Sequence, residues 1–157
     1  MPKWTYNTAA GDLTIGGIAM NGPAWKVVNL YALWQPADQR GTDRLVPGAT
    51  GVVAYRRRNT VTVVSLQMLI SGTHDRTGAA VADKFEGLQA NVEYLRANVV
   101  EPTGATDGTR SAVLTMPDGT TYTEPIHVVG LQFGDVSLDG AWLKAVLEIS
   151  IPSGRFS

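Results

Sequence analysis

The sequence has no cysteine and two histidines. The first absence excludes disulfides, thiolate zinc sites and cysteine nucleophiles, and the second leaves few imidazoles for metal binding or base catalysis. Charge is scarce too: thirteen Lys and Arg against fourteen Asp and Glu leave a net charge of −1. Overall electrostatics therefore gives no reason to expect a nucleic-acid face or attraction to an anionic membrane. No apolar run approaches a membrane span, and the start, Met1-Pro2-Lys3-Trp4-Thr5-Tyr6, has no apolar signal core, so a soluble protein is expected. No nucleophile elbow, phosphate-binding loop, dinucleotide glycine fingerprint or His-Glu-x-x-His is present. The expectation is a protein that is not an enzyme and takes no cofactor.

The candidates for site chemistry read as ordinary structure. His127 lies in an expected strand. His74-Asp75 could be half of a metal site, but no second ligand cluster has suitable spacing, so no metal is expected. Asp12, Asp43, Asp75, Asp107, Asp118, Asp135 and Asp139 fall in expected loops or turns, where Asp serves the backbone.

What is present organises around residues 79–100. Val81, Phe85, Leu88, Val92, Leu95 and Val99 recur at spacings of four, three, four, three and four, the pattern of a helix with one apolar stripe. Pro102 stops it, and Gly87 costs about 1 kcal/mol against alanine, which packing must offset. Around this helix the chain reads as strands. Gly16-Gly17 predicts a tight turn between two short strands, and residues 25–34 (WKVVNLYALW) predict one strand apolar on both faces. Residues 35–51 predict a long loop, with Arg56-Arg57-Arg58-Asn59 as a basic tip before an alternating strand that ends at Ile70. Asp118-Gly119 predicts a hairpin, Gly130 a bulge, and residues 140–151 a cleanly alternating last strand. The sum is a mainly β single domain over residues 1–157. It is expected to be a sandwich or barrel of about seven or eight strands with one flanking α-helix.

The order of three segments resembles small tail proteins of long-tailed bacteriophages, of the distal-tail and tail-tube type. The first is a loop with Arg40, Gly41, Pro47, Gly48 and Gly51; the second has Ile70, Gly72, Leu88, Asn91 and Leu95; the third ends in Pro152, Gly154 and Phe156. The resemblance covers roughly residues 25–157. It implies a tail-tube fold assembled as a ring, commonly a hexamer, that joins tail tube to tip and lines a channel through which DNA passes without specific binding. Implied partners are copies of itself and neighbouring tube and tip proteins; the implied location is the virion tail, after synthesis in the host cytoplasm, with no membrane. A main tail-tube subunit shares that fold and is the alternative, and a carbohydrate-binding β-sandwich is the alternative from another class. The loop's length and composition place Arg40, Asp43, Arg44 and Pro47 at an expected subunit or ring contact, with Arg56, Arg57 and Trp34 as further candidates.

Overall fold

The structure is a computed structural model that describes residues 12–34, 61–101 and 109–156, together with the backbone of four two-residue strands between 39 and 59. Strand β1 (Asp12–Ile15) turns at Gly16-Gly17, with φ of 57° and 83°, into β2 (Ile18–Ala19). Both turn residues lie where glycine is favoured, as a two-residue hairpin of this twist requires. After β3 (Trp25–Val27) come the short strands β4 (Gln39–Arg40), β5 (Arg44–Leu45), β6 (Val52–Val53) and β7 (Arg58–Asn59). Then follow β8 (Thr62–Ser71), the helix α1 (Lys84–Leu95), β9 (Thr109–Thr115), β10 (Thr121–Val136) and β11 (Trp142–Ile151).

The mainly β architecture with one flanking helix is as expected. Seven strands form one antiparallel sheet in the order β2-β1-β9-β10-β11-β8-β3. β10 joins its two halves. Its first part pairs with β9 from Thr121 to His127, its second with β11 from His127 to Val136, and the register shifts between Val128 and Gly130. That shift is the bulge anticipated at Gly130, and a bulge bends and twists a strand. Both halves contribute to one core: Leu13, Ile15, Ala112, Leu114 and Ile126 from one, Leu66, Met68, Ile70, Leu147 and Ile149 from the other. The predicted hairpin is present between β9 and β10, with Met116 N–H donating to the Thr120 carbonyl and Gly119 at φ 88°.

The helix is shorter at its start than the periodicity predicts. Residues 79–83 are not helical: Ala80 bridges to His74, and Val81 N–H donates to the Thr73 carbonyl at 2.8 Å. Asp83 is the N-cap, in an extended conformation, its Oδ1 accepting from the N–H groups of Phe85 and Glu86. Such a cap satisfies donors that the first turn leaves open, and so fixes the start at Lys84. Arg96–Val100 continues as a π-helical turn, so the far end matches expectation. Of the apolar stripe, Leu88, Leu95 and Val99 are buried, but Phe85 is 58% exposed. Gly87 has the packing role its cost demands. A Cβ there would collide with the Gly72 carbonyl, and one on Gly72 would collide with the backbone of Gly140 and Lys84.

The expected strand over residues 25–34 ends early. β3 stops at Val27, and Leu30–Trp34 is a 3-10 helix that buries Leu30 and Leu33. Asn29 provides the reason. Its side chain accepts from Gln67 N–H at 2.7 Å and donates to the Ser65 carbonyl at 3.0 Å, replacing the backbone ladder that another strand residue would supply. The stretch expected as a loop also holds strands. Gln39 and Arg40 pair with Asn59 and Arg58, and Arg44 and Leu45 pair with Val53 and Val52. Arg58-Asn59 therefore belongs to a paired strand rather than to a turn-like tip.

Candidate interaction surface

Among the described residues no group of three or more His, Asp or Glu side chains is placed to hold a metal ion. His74 Nδ1 is 2.9 Å from the Thr73 hydroxyl, and His127 sits in β10 opposite Thr109 and Ser150. The aspartates split. Asp12 and Asp135 are strand residues, whereas Asp75, Asp118 and Asp139 cap turns. All three capping carboxyls are held below the usual carboxylate range by hydrogen bonds to the charged form. The Thr77 hydroxyl is the main cause for Asp75, the Thr120 N–H for Asp118 and the Ala141 N–H for Asp139.

Among the described residues Val61, Val63 and Phe85 are exposed apolar side chains, and the others form two groups at opposite edges of one half of the sheet. Beyond His127, β10 is hydrogen-bonded among the described residues only to β11. That stretch and the turn after it expose Val129, Phe133, Val136 and Leu138, the last fully. The turn itself is tightly organised: the Ser137 hydroxyl donates to Asp139 at 2.8 Å, Asp139 accepts from Ala141 N–H, and Lys84 lies 3.6 Å from the Asp139 carboxylate. Leu138 is therefore presented to solvent by a fixed frame. At the other edge, past β3, Val28, Tyr31 and Trp34 are exposed, with the Tyr31 and Trp34 rings edge-to-face at 4.7 Å.

Between these edges the sheet's outward face carries three cross-strand rows: Lys26, Leu69 and Lys144; Gln67, Val146 and Gln132; Ser65 and Glu148. A shallow groove of about 580 Å³ crosses this face, bordered by Val28, Gln67, Leu69, Phe133 and Lys144.

Of the residues expected at a subunit contact, Trp34 is placed at this surface, 38% exposed. Arg40 lies in β4 and Arg44 in β5, where the backbone pairing is described and the side chains are not. Asp43, Pro47, Arg56 and Arg57 lie outside the described residues. Sequence reasoning missed Phe133, Val136 and Leu138 as surface residues. The strand that carries the first two is sixteen residues long, far beyond an ordinary strand, but its sequence mixes Thr, Glu, His, Gln and Asp with the apolar residues and so gave no clear signal. The motif residues of the second segment have structural roles: Asn91, 4% exposed, donates through Nδ2 to the carbonyls of Ser71 at 2.6 Å and His74 at 3.0 Å. A sugar platform is not supported, because Trp25 is 4% exposed and Tyr31 and Trp34 stand at 82° to each other rather than forming a flat row.

No protein-family model matches the sequence, and no curated protein matches it. The fold is similar to that of a solved protein, the Dit (gp 19.1) protein of phage SPP1, described as a paradigm of the hub adsorption apparatus in phages that infect Gram-positive bacteria. The TM-score is 0.53 at 13% identity, over 91% of this chain and 50% of that one. The present chain thus spans about half the length of that protein, and what the two share is a fold.

Proposed function

We propose that this chain is a structural protein of a bacteriophage tail. It forms a ring at the distal end that joins tube to tip and lines the path of DNA. The observation that carries the proposal is the pair of apolar surfaces at opposite ends of one half-sheet, Val129, Phe133, Val136 and Leu138 at one end and Val28, Tyr31 and Trp34 at the other. A contact that joins one surface to a different surface on the next copy is heterologous, and it closes into a ring when the rotation permits. An unpaired strand edge with large apolar side chains is a liability in a lone domain and is ordinarily covered. The similarity of fold to a phage hub protein supports the location, and six copies are the expected number.

The outward face between those ends fits a channel wall. Two lysines, Lys26 and Lys144, stand among Gln67, Gln132, Ser65 and Glu148, so the face offers DNA little net charge to hold it. Neighbouring partners are the tube and tip proteins, and no catalysis is assigned. The stretch over residues 39–59, with Arg40, Asp43, Arg44, Pro47, Arg56 and Arg57, is proposed as a contact with an adjacent ring.

The test is negative-stain microscopy of the purified chain with mass measurement. Discrete rings are the expected result. Long filaments would replace this reading with the main tube subunit, and a monomer at every concentration would overturn both.

A further inference from the structure

A cleft of about 290 Å³ lies where the turns around β2 and β3 meet the loop that leads into α1, and Ile18, Asn21, Pro23, Trp25, Arg76 and Tyr94 are among its lining residues. Three of these form a stack. The Trp25 indole is buried and donates through Nε1 to the Ala19 carbonyl at 3.0 Å. Tyr94 stacks on it with ring centroids 5.8 Å apart and planes 22° apart. The Arg76 guanidinium lies 4.3 Å from the Tyr94 centroid, and its Nη1 donates to the Tyr94 hydroxyl at 3.2 Å. A buried, hydrogen-bonded indole thus fixes a tyrosine, and the tyrosine fixes an arginine.

That arginine has no ion-pair partner among the described residues. Its neighbour Asp75 has Oδ1 accepting from Thr77 N–H, the Thr77 hydroxyl and Ala79 N–H. Lys84 pairs with Asp139 and Arg96 with Glu101, and neither pair involves Arg76. A guanidinium has five N–H donors in a rigid fork, and one hydrogen bond leaves most of them open. Sugar stacking is disfavoured, because Trp25 and Arg76 both pack against Tyr94 and the indole is buried. Charge and fork geometry remain as the means of recognition.

We propose that this cleft receives a carboxylate from another polypeptide, with Arg76 as its forked partner. The volume suits one acidic side chain or chain terminus together with its adjoining backbone. The proposal stands apart from the ring reading, since a monomer that binds the carboxylate supports it and a ring that does not bind contradicts it.

The test is a titration of the ¹⁵N-labelled full chain, followed at the Trp25 indole N–H and the Gly22 and Thr77 amides. N-acetylglutamate α-amide presents a side-chain carboxylate, N-acetylalanine a terminal one, and N-acetylglutamine amide a neutral control. Saturable shifts with either carboxylate, absent with the control and weakened about tenfold or more by Arg76→Gln, are expected; the carboxylate that binds identifies the source. Arg76 is exposed, so this variant leaves the core intact. No saturable shift with either acid, equal shifts with the neutral amide, or shifts unchanged in Arg76→Gln would overturn the proposal.

Discussion

The two ends of β8 and β10 differ in what closes them. Where β8 ends, at Ser71 and Gly72, the chain is covered by its own helix. Gly72 and Gly87 allow backbone to touch backbone, Leu88 and Leu95 fill the core, and Asn91 satisfies the carbonyls of Ser71 and His74. Where β10 runs past His127, no described strand pairs with its far side, and Phe133 and Val136 stay about half exposed although they pair with Ala145 and Leu143. The same β body is closed from within at one place and left apolar at another. The two regions adjoin, since Val136 pairs with Leu143, Leu143 with Ile70, and Lys84 reaches Asp139. One is packed by close backbone contact and buried side chains and the other is left open, so a mutation in one should not imitate a mutation in the other.

The largest effect is expected where the backbone approach is closest. Gly72→Ala places a methyl group against the backbone of Gly140 and Lys84, neither of which is a flexible tip. A loss of about 3 kcal/mol or more is expected, read as a fall of about 6–12 °C in thermal midpoint. A midpoint within a degree or so of wild type would show that the contact is looser than drawn. Asn91→Ala comes next. It leaves the buried Ser71 carbonyl and the part-buried His74 carbonyl without their partner and opens a small void, with an expected cost of about 2 kcal/mol in a denaturant titration. Phe133→Ser and Val136→Ser, on the uncovered part of β10, should each change the stability of the lone chain by no more than about 0.5 kcal/mol. If they destabilise it as Asn91→Ala does, the contrast between the two regions fails.

Much of this was legible in the sequence, and the failures share a cause. Glycine pairs, Asp118-Gly119 and the alternation of residues 140–151 are local signals, and the turns and the last strand follow them. Helix periodicity located α1 but not its start, because Val81 continues the apolar spacing while its N–H is taken by Thr73 across the loop. Composition made residues 25–34 look like one strand, but a single side chain, Asn29, substitutes for the ladder and releases the chain into a 3-10 turn. The apolar surface was hidden for a related reason. Phe133 and Val136 occupy positions paired with Ala145 and Leu143, so their pattern is that of core residues, and among the described residues no strand beyond β10 covers them.

A smaller effect concerns acid. The Asp139 carboxyl is held below its usual range, first by the Ala141 N–H and then by the Ser137 hydroxyl, with Lys84 adding to both. A depressed folded value means that the stabilisation is complete above the unfolded value, near 3.8, and is lost as pH falls through the lower folded one. Asp139→Asn should therefore weaken the turn slightly at neutral pH and flatten the decline in thermal midpoint below about pH 4. Parallel declines in variant and wild type would remove the carboxylate from the account of the Leu138 turn.

The central claim is that the apolar edge of β10 is covered by another copy of the chain. It is tested most directly by the solution mass of the full chain, wild type beside the double variant Phe133→Asp, Val136→Asp. The account predicts a closed multiple of the chain mass for wild type and a single folded chain for the variant. A wild type that stays at the mass of one chain, or a variant that assembles as wild type does, would contradict it.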